Sequence, residues 1–202
     1  LEHIRGQAEL MVGRADTAAD ILSAASLAVR PHDEVRAIQL AGAALEAAGA
    51  SGDPARLARA TAAGDGIPPR EERELALRAQ FDGFSLVFQG DHERGAIVRT
   101  NAVALARGLH DPVPLAQTLV RSYWSRGTSS LDEILAMLTE AVDLGEELGD
   151  TEILAEAMAW RVPTFVALGD LDSARREVAV LLATAEQTAQ PFMLHVAEHY
   201  GS

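Results

Sequence analysis

Three stretches of this 202-residue chain carry residue types that do chemistry when the spacing is right. The first is His195-Val196-Ala197-Glu198-His199. On a helix, His195 and His199 share a face and can hold zinc, with Glu198 as the base of a metal-dependent enzyme. A third protein ligand would have to follow, and only Tyr200, Gly201 and Ser202 do. So short a string also arises by chance where helices abound, so an ordinary solvated helix face is the expected reading. The second stretch is the glycine cluster Gly49, Gly52, Gly64 and Gly66. It matches neither Gly-x-Gly-x-x-Gly nor Gly-x4-Gly-Lys-Ser/Thr, and the latter is impossible in a chain without Lys. These glycines fall in turns between Ala-rich helices. Ser, His and Asp all occur, but none sits in the strand–turn–helix context of a nucleophile. No catalytic residue, metal ligand or cofactor is assigned, and the chain is not expected to be an enzyme.

The third stretch, Arg121-Ser122-Tyr123-Trp124-Ser125-Arg126, has the most unusual composition in the chain. Trp, Tyr and Arg are the residues most enriched at binding hot spots. The competing reading is that Tyr123 or Trp124 fills a gap between helices.

The elements that position these residues follow from composition. Hydrophobic residues make up 48% of the chain and aromatics only 4%, so the apolar content is mostly Ala, Leu and Val. Ala and Leu are strong helix formers, and no strand-like alternation bounded by turn signals occurs. With no Cys, neither a disulfide framework nor a thiolate metal site is available. A chain this long buries enough surface to do without either. The expected compartment is a reducing cytoplasm, with no membrane involvement, since no apolar stretch reaches spanning length. A net charge of −13 argues against nucleic acid as a partner of this segment. Every basic residue is Arg, which with the abundant Ala suggests a GC-rich coding bias. The chain starts without Met in apparent helix and reads as a piece of a longer protein. Leu1-Glu2 and Gly201-Ser202 are candidate cloning residues.

Five glycines, Gly13, Gly49, Gly90, Gly127 and Gly169, recur at intervals of about 36 to 42 residues, each between two helical apolar stretches. Gly6, Gly42 and Gly83 stand seven residues upstream of three of them. In Gly90-Asp91, Gly149-Asp150 and Gly169-Asp170 a glycine can end one helix while the Asp caps the next. Ser130 with Glu133 forms a capping-box pattern. Over 170–187 the apolar stripe is Leu171, Ala174, Val178, Leu181, Leu182 and Ala185. These signals predict about eleven helices, near 1–12, 15–29, 32–48, 54–63, 70–89, 92–108, 112–126, 130–148, 151–168, 170–187 and 191–200. The segment 64–69 is the one candidate hinge. Pro163 falls inside 151–168, where periodicity continues on both sides, so one kinked helix is expected.

Gly, then Gly seven residues on, then Ala five further resembles the tetratricopeptide pattern of small residues where paired helices pack. Gly6, Gly13 and Ala18 match all three positions; Gly169 and Ala174 match two; Gly83 and Gly90 match, with Gly95 in place of the Ala. The repeats at Gly49 and Gly127 depart after the turn. The implied fold is all-α: one degenerate array over 1–202 of about five antiparallel helix pairs, a right-handed superhelix with no β-sheet. More specifically, His3-Ile4-Arg5-Gly6-Gln7-Ala8-Glu9-Leu10 with Gly13 resembles the helical region of LuxR-family large ATP-binding transcriptional regulators. So does Ile153–Phe192, with Ala155-Glu156-Ala157, Leu168-Gly169-Asp170-Leu171, Ala174-Arg175 and Gln190-Pro191-Phe192. Related arrays occur in actinobacterial proteins that join a cyclase-like domain to an ATPase. The resemblance implies a parent with an ATPase module before the array and a helix-turn-helix after it. ATP and DNA binding would belong to those modules.

Helical arrays bind along the face lined by the first helix of each pair. The tetratricopeptide register places His3, Gln39, Gln80, Gln117 and Ala159 on that face. Next along it come Gln7, Ala43, Phe84, Arg121 and Pro163, then Leu10, Glu46, Val87, Trp124 and Val166. The candidate groove residues are therefore Gln39, Gln80, Phe84, Gln117, Arg121 and Trp124. Their mixture of amides, aromatics and one Arg suits a protein segment or a small polar effector, although Gln also fills ordinary solvated helix positions. The expected function is a non-catalytic scaffold for protein–protein interaction or effector sensing in a large regulator. The alternative is the metal-dependent enzyme fragment at His195, Glu198 and His199.

Overall fold

A computed structural model describes residues 1–125, 129–188 and 191–201. It contains eleven α-helices: α1 (Glu2–Met11), α2 (Ala15–Val29), α3 (Glu34–Ser51), α4 (Pro54–Gly64), α5 (Glu72–Phe88), α6 (His92–Gly108), α7 (Pro112–Arg121), α8 (Leu131–Leu148), α9 (Thr151–Leu168), α10 (Leu171–Thr188) and α11 (Pro191–Gly201). No strand occurs among the described residues, so the fold is all-α. None of the described helices is long and apolar enough to cross a membrane. Contacts divide the chain into two compact units, Leu1–Leu105 and Ala106–Ser202. The boundary falls inside α6, where the sequence reading places one uninterrupted array with its hinge at 64–69.

Four of the connections share one local device. Gly52, Gly90, Gly149 and Gly169 adopt positive φ. Each is followed by an Asp whose carboxylate accepts backbone N–H bonds from the next helix: Asp53 from Ala55 and Arg56, Asp91 from Arg94, Asp150 from Glu152 and Ile153, and Asp170 from Ser173. The glycine satisfies the left-handed end of one helix and the Asp the orphan amides of the next. Gly49 is not one of these turns. It lies within α3 under the ring of Phe88, where a Cβ would collide with that ring, and α3 runs on to Gly52. The expected register in this repeat is therefore three residues out.

In the first unit α1 to α5 pack on their sequence neighbours, α2 also reaches α4, and α3 reaches α5. Helix contact is close because the facing residues are small: a Cβ on Gly6 would come within 2.5 Å of Leu22, itself fully buried. Ser26, fully buried on α2, donates its hydroxyl to the carbonyl of Ala37 at 2.7 Å, and the carbonyl of Ala63 lies 3.4 Å away. A buried hydroxyl needs such acceptors, and here they tie three helices together. The segment 64–69 is fastened at several points. Ile67 is buried, Arg78 donates to the carbonyl of Gly64 at 2.8 Å, and Arg70 pairs with Glu34 at 2.7 Å. The recess between this segment, α3 and α5 holds no more than a water molecule.

In the second unit α7 through α11 pack in sequence order, with α9 touching α7 and α11 as well. The capping box at α8 is present in both directions, Ser130 Oγ accepting from the Glu133 amide and Glu133 accepting from the Ser130 amide. Helix α9 passes through Pro163 unbroken, and Thr164 Oγ1 donates to the carbonyl of Trp160 one turn back. The stripe of α10 differs from the expected one: Ala174, Leu181 and Ala185 are buried, Leu171 and Leu182 are exposed, and Glu177 is buried among them. Helix α7 ends at Arg121 and not near 126; Arg126, Gly127 and Thr128 lie outside the described residues.

Candidate functional site

The chain has two Trp and two Tyr, and the second unit gathers them. Helix α7 carries a ladder of buried hydroxyls. Thr118 Oγ1 donates to Pro114 O at 2.7 Å, Ser122 Oγ to Thr118 O at 2.6 Å, and Ser125 Oγ to Ser122 O at 3.4 Å. Side-chain bonds to the i−4 carbonyl slightly weaken and often bend helices, and here two follow one another at the end of α7. Just past Arg121 the chain leaves α-helical bonding for turns, and these turns present Tyr123 and Trp124 to α9.

There Tyr123 stacks on Trp160, with ring centroids 4.6 Å apart and planes inclined by 12°. Trp124 meets Trp160 edge-to-face at 4.8 Å and 74°. These are the favoured geometries of aromatic pairs, each worth about 0.5–1.5 kcal/mol beyond area burial. Ile134 and Leu138 of α8 pack beneath Tyr123. Tyr123 is 9% exposed, while Trp124 and Trp160 are half-buried. The indole N–H of Trp160 is buried without a hydrogen-bond partner. From α11, Tyr200 presents a phenol with its pKa raised, first by burial and then by the charge of Tyr123.

Beside Trp160 lies an ion pair with both partners largely buried. Arg161 Nε of α9 is 3.1 Å from Glu177 Oε1 of α10, with side chains 17% and 10% exposed. The two atoms are not aligned for a hydrogen bond. The guanidinium also sits 5.5 Å from the ring centre of Phe165. Burial pushes the Glu177 carboxyl up, and the charge of Arg161 acts against that.

The predicted groove residues divide between the units. Trp124 joins the aromatic cluster; Arg121 is half-buried in the last turn of α7, and Gln117, one turn earlier, is exposed. In the first unit Gln39 accepts from Arg36 at 3.3 Å, and another guanidinium nitrogen of Arg36 lies 2.8 Å from His3 Nδ1. His3 and Gln39, expected on one face, are thus joined through Arg36. Gln80 is half-buried with its amide nitrogen unbonded. Phe84 is not a groove residue: it is 2% exposed and stacks with Phe88 at 6.4 Å. Nearly every face of α5 near Phe84 is covered, with Phe81, Gly83, Ser85 and Val87 buried too, so no solvent-facing stripe exists there.

Trp160 was not singled out by the sequence reading, although the chain's second Trp one residue beyond a register position was a usable signal. At the zinc-type string, Glu198 and His199 are exposed and His199 packs edge-on against Tyr200 at 5.3 Å; the side chain of His195 lies outside the described residues. No group of three or more His, Asp or Glu placed to hold a metal occurs among the described residues. The chain matches no family model, and no curated protein matches it.

Proposed function

We propose that the chain is a non-catalytic helical-repeat module that binds a protein segment or a small effector. Its contact surface is the cluster of Tyr123, Trp124 and Trp160, edged by Arg121 and Tyr200. The observation that carries this reading is the convergence of both tryptophans and a tyrosine on one site in a chain only 4% aromatic. Rigid aromatic side chains give large contact area for little entropy, which is why they dominate binding hot spots. The parent protein, on the resemblance of its repeats, is a large transcriptional regulator of the LuxR type that works in the cytoplasm. Its ATP and DNA binding lie in other modules.

The test is a thermal-shift screen of peptide and small-molecule collections against the wild-type chain and Trp124→Ala. The reading expects at least one ligand that raises the melting temperature of the wild type and leaves that of Trp124→Ala unmoved. Ligands that stabilise both proteins equally would overturn the site. Gln39→Ala and Gln80→Ala serve as controls in the other unit and are expected to respond like the wild type.

A further inference from the structure

The segment that presents the aromatic residues is wound differently from the helix that precedes it. The amide of Ser122 bonds the carbonyl of Thr118 at 2.9 Å, an i→i−4 bond. From the next residue the pattern tightens: Tyr123 N–H bonds Val120 O at 3.2 Å, Trp124 N–H bonds Arg121 O at 3.3 Å, and Ser125 N–H bonds Ser122 O at 3.2 Å. The change begins at the carbonyl of Thr118, which accepts both the Ser122 amide and the Ser122 hydroxyl. Ser122 is 3% exposed and Thr118 4%, so no water competes for these bonds.

We infer that Ser122 is the positioning residue of the aromatic site, its hydroxyl holding 122–125 in the tight winding that places Trp124 against Trp160. The geometry is direct. An α-helix turns about 100° per residue and a three-residue winding about 120°, so between Arg121 and Trp124 the two differ by about 60°. At the outer radius of a helix, that rotation moves a side chain by about 5 Å. The Trp124–Trp160 centroid distance is 4.8 Å, so a return to α winding separates the rings. The site is therefore preorganised by one buried hydroxyl, and a ligand that needs Trp124 on Trp160 is bound only by the tightly wound form. This inference rests on the aromatic cluster being the contact surface, but the winding itself is tested without any ligand.

Closely coupled indoles give an exciton band in the ultraviolet circular dichroism, which reads the Trp124–Trp160 geometry directly. Ser122→Ala is expected to lose this band while keeping its helical spectrum, and Ser122→Thr, which keeps the hydroxyl, is expected to retain it. Retention of the band in Ser122→Ala, or its equal loss in both variants, overturns the inference. Should Ser122→Ala not fold, the wild-type chain answers by amide hydrogen exchange. The weaker bonds of the tight turn predict faster exchange at Tyr123, Trp124 and Ser125 than at Leu119, Val120 and Arg121; equal protection of the two sets overturns it.

Discussion

The Arg161–Glu177 pair makes a prediction whose size can be worked out. At 3.1 Å the attraction is about 5 kcal/mol with an effective dielectric constant of about 20. Burying each ion costs several kcal/mol, so the intact pair contributes little net stability. Removing one partner is different. Arg161→Met keeps the stem over Phe165 and leaves Glu177 buried opposite no charge. The carboxyl then either stays ionised at the full penalty or takes up a proton. The second route sets the ceiling: from an ordinary value of 4.5 to pH 7, protonation costs about 3.4 kcal/mol at about 1.4 kcal/mol per pH unit. The expected loss is therefore about 3 kcal/mol at pH 7, falling to about 0.7 kcal/mol at pH 5. The sign follows from a folded-state pKa above the unfolded one: the folded variant binds the extra proton, so its stability falls as pH rises above 4.5. Arg161→Met/Glu177→Leu leaves no buried charge and is expected close to the wild type at both pH values. The assay is urea unfolding followed by Trp fluorescence, which reports on the second unit alone because both tryptophans lie there. A loss below about 1 kcal/mol at pH 7, a loss equal at both pH values, or a double variant no better than the single one would refute the reasoning.

Three further outcomes follow from the turns and the charge. Gly169→Leu places a side chain at φ +79° and is expected to lower stability by about 1–2 kcal/mol, whereas exposed Arg175→Ala is near neutral; equal melting temperatures would count against the turn. The Asp170 carboxyl is held below its ordinary value of 3.8, chiefly by the Ser173 hydroxyl, so the stability it adds is present above that value and lost as pH falls through its lower folded value. Asp170→Asn, which still caps, is therefore expected to flatten the acid limb of the urea midpoint, and an unchanged limb would contradict this. The isolated chain, at −13, is expected not to retard duplex DNA at physiological salt; specific, salt-sensitive retardation would overturn that.

The helices were legible because their signals are local. Ala and Leu periodicity, Gly-Asp turns and the Ser130–Glu133 box depend on residues within a few positions of one another; the structure realises the helices, the turns and the box, while the buried stripe of α10 differs in part. What failed depends on contacts from elsewhere. Gly49 has the look of a turn glycine, but Phe88 rests on it, and nothing near Gly49 announces that ring. Phe84 was assigned to a groove by register, yet α5 is covered around most of its circumference, which periodicity in one helix does not reveal. Glu177 was legible in part: it lies three residues from Ala174 and four from Leu181, on the buried stripe, and only its charge argued against burial. Trp160 lies in the nearly continuous apolar run of α9, where only its rarity and its place beside a register position mark it. Tyr123 and Trp124 were visible by composition alone, but their partner on another helix was not.

The most direct test of the proposed binding surface is the pair of indole N–H resonances in a proton–nitrogen correlation spectrum. The chain has two tryptophans, and their rings touch, so both signals belong to the site. On titration with a ligand from the screen, the two resonances are expected to shift together and saturate with one binding constant, while the side-chain amides of Gln39 and Gln80 stay in place. Saturable binding that leaves both indole resonances unmoved would contradict the account.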